Sequence, residues 1–478
     1  MTKRLILIAL AILVGISSYA YAEVQNIKVS GDIQVQGVSR AAFTFRDQEW
    51  NGGRAGGGTT NASSTDSFFM STTRVRLDAD LTDNVSAVVR LLNQREWGTS
   101  DSAENSEIDL DLAYMTLKEF LYSPLTLSVG RQNLRFGNAL IVGDPDTNMI
   151  SVDGDRFIAH TDLSSRKAFD AIRATLDYSP LVVDLVFSKI DENQLAVNDD
   201  HDLYGMNACY DFGVMNTIGE LYYFEKRNDV LKDEDNKDDI VRTIGIRAQS
   251  EPIENLTLNA EVAHQFGHYT ALVARYPNDV TGGGGLGGRI EDKCDPRDAW
   301  AVQVGADYLF ADLQYTPGVS LWYTYLSGDE DEAPGTANGA YTAWDPMFED
   351  QGGGKIYNAI MAASNCHLIN LKGRLKPMDD LAAALEWTHL RLDKNYRFVA
   401  IGRQVILSGV AGNVNYYMTE KSHIGDEIDL ALTYDYTEDV QLGLNAGIFV
   451  PGDAFIDLDN NACDRKATQI IGSMKVTF

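Results

Sequence analysis

Arginine dominates the side chains of this chain that can act on a ligand. Arg74 and Arg76 alternate with Asp78 and Asp80 at two-residue spacing. Arg90, Arg173, Arg247, Lys372, Arg374 and Lys475 sit in similar alternations, with Asp109, Asp111, Asp184, Glu261 and Glu386 on the same parity. Every second residue of an extended chain shares a face. A row of guanidinium groups on such a face attracts anions and biases which ions pass along it. The alternative fate of these charges is pairing with the acids across neighbouring strands, which hydrates a wall without recognising anything.

Other chemistry finds less support. His201 stands between Asp200 and Asp202, and His264 and His268 lie close together, but the seven histidines are scattered. No G-x-S-x-G nucleophile elbow accompanies them, so no enzyme is expected. Asp144, Asp146, Asn148 and Asp155 imitate a calcium loop, yet Met149 stands where such loops require glycine. Neither a metal nor a cofactor is therefore assigned. Cys209, Cys294, Cys366 and Cys463 show no C-x-x-C spacing, which removes zinc and haem attachment. Three disulfide pairings remain open for them.

The elements that hold these residues announce themselves at the carboxy-terminus. From Ala467 to Phe478 one parity reads Thr468, Ile470, Gly472, Met474, Val476, Phe478, and the other reads Gln469, Ile471, Ser473, Lys475, Thr477. One face meets oil and the other water. The chain begins with Lys3 and Arg4, an apolar run from Leu5 to Ile16, and Ala20-Tyr21-Ala22. That is the pattern of a signal peptide, expected to be cleaved after Ala22, leaving 23–478 as a single domain. The formal charge is −29, and losing Lys3 and Arg4 with the leader takes it to −31. Such acidity, concentrated in segments such as Asp229 to Asp239, excludes nucleic acid as a partner.

Period-two segments bounded by turn residues number about eighteen, which predicts an all-β fold, a transmembrane antiparallel β-barrel. They lie near 26–46, 68–82, 84–98, 105–119, 123–136, 167–178, 180–190, 202–212, 214–226, 239–250, 254–267, 297–309, 316–327, 364–376, 378–392, 424–436, 438–450 and 465–478. Tight connections at Thr82–Asn84, Ser179-Pro180, Pro377–Asp379 and Thr437–Asp439 alternate with long ones. The long ones include Asp47–Ser67, Gly137–Arg166, Gly267–Pro296, Ser327–Ala363 and Asp393–His423. Outer-membrane barrels alternate periplasmic turns and external loops in this way. In hydrocarbon the sheet has to close, because an open edge leaves backbone groups unpaired. Tyr122, Tyr178, Trp300, Trp322, Tyr434 and Tyr436 are candidates for interfacial girdles. Outer-membrane lipid, lipopolysaccharide and the barrel-insertion machinery, which would read the end at Phe478, are the partners this implies.

Two local readings follow. Arg131 continues the apolar parity of Leu125, Leu127 and Val129, so either the strand bulges at Gly130 or Arg131 lies at the outer rim; a bulge is expected. The segment Gly137–Arg166 carries Leu140, Ile141, Val142, Met149, Ile150, Phe157 and Ile158. These predict a loop folded into the barrel mouth as a constriction.

Several motifs resemble those of the alginate-export family of outer-membrane porins. Gly130-Arg131-Gln132 with Gly137 precedes Arg166-Lys167-Ala168-Phe169-Asp170. Ser327-Gly328-Asp329-Glu330-Asp331 leads to Asp345-Pro346-Met347-Phe348, and Gly425-Asp426-Glu427-Ile428-Asp429 leads to Phe449-Val450-Pro451-Gly452. The resemblance implies an arginine-rich pore for an anionic solute or polysaccharide, such as alginate. It also adds Arg131, Arg166, Asp170, Glu427 and Asp429 as pore or rim residues. A general small-solute porin, a barrel enzyme and a surface scaffold are the competing functions.

Overall fold

The computed structural model describes residues 26–43, 45, 65–98, 108–145, 161–191, 200–232, 238–274, 290–330, 339–351, 354–361, 363–395, 404–406, 415–418, 421–456 and 464–478. The leader expected at 1–22 lies outside them.

Eighteen antiparallel strands form one sheet. In chain order they are β1 (Asn26–Ala41), β2 (Thr65–Thr82), β3 (Val85–Glu96), β4 (Asp109–Leu117), β5 (Leu125–Asn133), β6 (Ala168–Asp177), β7 (Leu181–Asp191), β8 (His201–Asp211) and β9 (Ile218–Lys232). They continue with β10 (Asp238–Ile253), β11 (Leu256–Ala274), β12 (Ile290–Leu309), β13 (Gly318–Leu326), β14 (Cys366–Met378) and β15 (Leu381–Leu392). Two three-to-four-residue strands in a connecting loop, β16 (Gln404–Ile406) and β17 (Asn415–Met418), come next. The barrel ends with β18 (His423–Asp435), β19 (Val440–Pro451) and β21 (Ala467–Thr477), while β20 (Phe455–Ile456) joins β16 and β17 in a small separate sheet.

The barrel closes where the first strand meets the last. Val35 pairs with Met474, Gly37 with Gly472, and the Gly31 and Phe478 main chains exchange hydrogen bonds of 2.8 and 2.9 Å. Closure leaves no edge for lipid to face. Eight connections of two to eight residues at the turn end alternate with nine at the other end, all of them nine residues or longer except the five-residue step from β9 to β10; both described termini lie at the turn end. Four predicted boundaries shift by five residues or more. β1 stops at Ala41, β9 runs on to Lys232, β11 runs on to Ala274, and β12 begins at Ile290.

Alternation is visible in the exposed apolar residues. Val29, Leu77, Leu185, Ile246, Leu321, Leu385 and Ile470 all point outward, as expected of a lipid-facing surface. Tyr122, Tyr178, Trp300 and Tyr436 are exposed with them, and the Tyr122 and Tyr178 hydroxyls meet at 3.3 Å. Trp322 does not belong to this girdle: it lies between the outward-facing Leu321 and Tyr323 and lines an internal cavity.

The bulge expected at Gly130 lies one strand away. Gly130 stays in register opposite Tyr114, with φ 120°, and a Cβ there would stand 2.2 Å from the Ala113 carbonyl oxygen. Between β3 and β4 the pairing steps from Arg90↔Leu112 to Leu91↔Leu110, which leaves Asp111 as the extra residue. Beyond it the phase of β4 reverses. Leu110 is exposed, Leu112 is buried, and Met115 returns to the outer face. With β5 unbroken, Arg131 keeps the outward parity of Val129.

Candidate functional site

The turn-end half of the inner wall is polar, but near the loop end many inward side chains are apolar. Phe169, Ala171, Val186, Leu203, Phe224, Ala263, Ala299, Ala301 and Leu326 form one buried cluster. Ile424, Leu390, Leu392 and Phe449 belong to a second. An aqueous lumen gives such groups no reason to be there. What covers them is the protein's own loops. Leu140, Ile141 and Val142 complete the first cluster together with Trp344, Met347 and Phe348. Of the constriction expected from 137–166, the stretch 137–145 is thus present inside the barrel. The insertion of the acidic loop, with its Trp344–Phe348 stretch, was not anticipated.

The two inserted segments are joined main chain to main chain. Val142 and Phe348 form a parallel bridge. Gly143 N donates to Phe348 O at 2.7 Å, Phe348 N to Ile141 O at 3.0 Å, and Asp350 N to Ala139 O at 2.9 Å. Asp345 anchors them to the wall. It accepts from Lys226 Nζ at 2.7 Å, and Arg297 lies 3.8 Å away. Its main chain exchanges hydrogen bonds of 2.6 and 2.8 Å with the Gln265 side chain. Asp350 binds Arg135 and Lys167, and Lys167 also meets Asp144 at 3.3 Å. Asp144 therefore serves an ion pair rather than the imagined calcium loop; Asp146, Asn148 and Asp155 lie outside the described residues.

A short helix, α1 (Lys355–Ile360), ends the insertion. The Ile356 and Tyr357 amides donate to Glu427 at 2.7 and 2.8 Å. Ile356, Tyr357 and Ile360 pack in the second cluster with Phe45, Phe449 and Phe455. Glu427 and Asp429 thus face inward, but they are covered by the inserted segment and are not open to passing solute. Between the insertion and the wall a cavity of about 350 Å³ remains, lined by Arg135, Asn138, Gln303, Trp322, Gln351 and Asn370 among others.

Most predicted arginines carry a carboxylate partner. Arg74 meets Asp32 at 2.8 Å, Arg76 meets Asp78 at 2.7 Å, and Arg173 meets Asp184 at 2.7 Å. Arg90 is bound to Asp111, Arg166 to Asp109, and Arg247 to Glu220, with Asn138 and Gln249 also accepting from Arg247. Arg374 lies exposed on the inward parity of β14, with no acidic partner among the described residues. Arg131 and Asp170 do pair, at 2.9 Å, but as cross-strand neighbours on the outward face, where Val129 pairs with Ile172. They are rim residues, not pore residues. Among the described residues, Cys209 and Cys366 are thiols without a disulfide partner.

A model of the alginate export family matches residues 25–469. The chain belongs to the alginate export family. Among curated proteins none matches it in sequence. In fold, this family member is similar to Pseudomonas aeruginosa OccK2 (OpdF) solved with glucuronate. The TM-score is 0.52 at 12% identity, covering 95% of this chain and 99% of that one. It is also similar to the P. aeruginosa outer membrane protein opdK (TM-score 0.51, 10% identity, 95% and 100% covered). Acinetobacter baumannii OccAB1 gives a TM-score of 0.50 at 12% identity, with 97% and 99% covered. The alginate-export chain is accordingly an outer-membrane β-barrel channel.

Its anchor responds to acid in a defined direction. Burial works against the charged form of Asp345, but Lys226 and Arg297 outweigh it and hold the carboxyl below its ordinary value. The stability this lends the docked loops is complete above the ordinary carboxylate range and is lost as pH falls through the depressed value. Open probability in planar bilayers is therefore expected to stay flat from neutral pH down to about 4 and to rise only below it. A rise already at pH 6 would contradict this anchoring.

Proposed function

We propose that this channel passes anionic solutes bearing carboxylates, of the uronate class and including an anionic exopolysaccharide such as alginate, along its inward arginines. The carrying observation is the paired row Arg74–Asp32, Arg76–Asp78, Arg90–Asp111 and Arg173–Asp184 on β1 to β7. A guanidinium that holds a protein carboxylate in a fork presents the same geometry to a solute carboxylate. Each rung can therefore exchange one acid for another while a solute moves past. Arg374, without such a partner, offers an entry point near the turn end. The family's name and the glucuronate in the OccK2 structure agree in chemical class. Pairing of nearly every rung supports a second reading, a general small-solute porin with weak charge preference. The exposed Phe478 side chain is proposed as the end read by the insertion machinery, and lipopolysaccharide as the outer-leaflet neighbour.

Current noise in a planar bilayer separates the two readings. Glucuronate added to the bath is expected to interrupt the open-state current where equimolar glucose does not. Arg74→Ser, Arg76→Ser and Arg374→Ser together are expected to shorten those interruptions several-fold. Equal effects of glucuronate and glucose would leave the general porin standing.

A further inference from the structure

On the outer face, at the loop end of β15 and β18, three side chains converge that the transport path does not use. His389 Nδ1 lies 2.9 Å from Asp426 Oδ1, and His423 Nε2 lies 3.2 Å from Asp426 Oδ2. The two imidazole rings are stacked, with centroids 5.3 Å apart. The three ligating atoms lie within 4.8 Å of one another, the one grouping of this kind among the described residues.

A local irregularity creates the cluster. Pairing between β15 and β18 steps from Leu390↔Gly425 to Arg391↔His423, so Ile424 is the extra residue. Ile424 turns into the buried cluster, and His423 is thrown onto the same side as Asp426. In unbroken alternation it would face the opposite way. Gly425 makes the step possible. Its φ is 153°, and a Cβ there would come within 2.5 Å of the Val450 carbonyl oxygen.

We infer that His389, His423 and Asp426 form a site for a divalent transition-metal ion of the zinc class. Two imidazoles and one carboxylate match the ligand preference of such ions, and three protein ligands leave a fourth position open. Metal–ligand bonds near 2.1 Å bring ligating atoms to about 3.5 Å from one another, so closing the present spacing needs a movement of about 1 Å. Trp387 Nε1 donates to Asp426 Oδ1 at 3.2 Å, the kind of outer contact that fixes a ligating carboxylate. The ion would tie the outer ends of β15 and β18 together at the root of the 393–422 connection. Calcium and magnesium are excluded as occupants because they take oxygen ligands.

The test is zinc titration by calorimetry on the whole protein in detergent, made without a polyhistidine tag and freed of metal by chelation. One zinc per chain is expected, with no heat from magnesium or calcium. Cobalt should give the visible absorption of a low-coordinate nitrogen–oxygen site. His389→Gln, His423→Gln and Asp426→Asn preserve side-chain size and should each weaken zinc by tenfold or more. Heat-modifiable gel mobility checks that each variant is a folded barrel. Absence of zinc heat in the wild type, or unchanged affinity in folded His423→Gln, would overturn the site. If His423→Gln does not fold, the same criterion applies to folded Asp426→Asn.

Discussion

Asp345→Ala is expected to open the channel. The side chain is held by Lys226 and approached by Arg297, whose own side chain is 3% exposed. Breaking a buried ion pair by deleting one partner costs about 3–5 kcal/mol, because the other charge remains buried. Lys226 keeps some contact with water, which places the expected loss at about 2–4 kcal/mol. That shifts the ratio of docked to undocked loops by roughly one to three orders of magnitude. Single-channel conductance should rise several-fold, and protease should cut near 331–361 sooner. Asp345→Asn retains a group able to accept from Met347 N, now at 2.8 Å, and should fall between. The barrel itself is closed by strand pairing and should keep its resistance to unfolding. Wild-type conductance together with wild-type proteolysis would show that Asp345 does not hold the insertion.

The second large effect concerns charge selectivity. Replacing Asp32, Asp111 and Asp184 together with asparagine frees Arg74, Arg90 and Arg173 without removing volume. In a water-filled lumen one unit charge at 4 Å is worth about 1 kcal/mol, a factor of roughly five in local ion concentration. Three freed guanidinium groups should therefore raise the chloride-to-potassium permeability ratio at least about fivefold at low salt. The change should shrink as salt shortens the Debye length to about 10 Å at 0.1 M. Reversal potential under a potassium chloride gradient measures it. No displacement of that potential would mean that these arginines lie off the ion path, and the proposed uronate route would fall with them.

Much of this architecture can be read in the residues themselves. Eighteen strands, their order and the closure of the last on the first follow from period-two alternation and from tight turns alternating with long loops. That signal is local, and lipid enforces it. What depends on register is less legible. The run Asp109-Leu110-Asp111-Leu112 alternates perfectly in sequence, so nothing in it betrays the extra residue at Asp111 that reverses the phase of β4. Arg131 showed the opposite case, an apparent irregularity that is simply an outward rim residue paired with Asp170. Pairing of the lumen arginines can be expected from the acids on the same parity, but which acid meets Arg74, Arg90 or Arg173 depends on cross-strand register.

The inserted loops left a partial trace. Leu140, Ile141 and Val142 pointed to the first of them. The second was hidden because Asp345-Pro346-Met347-Phe348 stood out only as a motif of the family resemblance, and its apolar residues are few. A signal was present in the wall instead. Leu203, Phe224, Ala299 and Ala301 occupy positions where a water-filled barrel calls for polar side chains, and they cluster where the inserted segments dock. Apolar residues on both faces of a barrel strand mark where something sits inside.

That two-faced wall has a consequence for assembly. A barrel inserted with its lumen still empty would present Phe169, Leu203, Phe224 and Phe449 to water, a greasy interior with nothing to bury it. The hairpins bearing these residues can mature only in company with the segments that cover them. Lid and wall are therefore one inheritance: a relative's loops grafted onto this barrel, without the matching wall, would bring a stopper cut for another bottle.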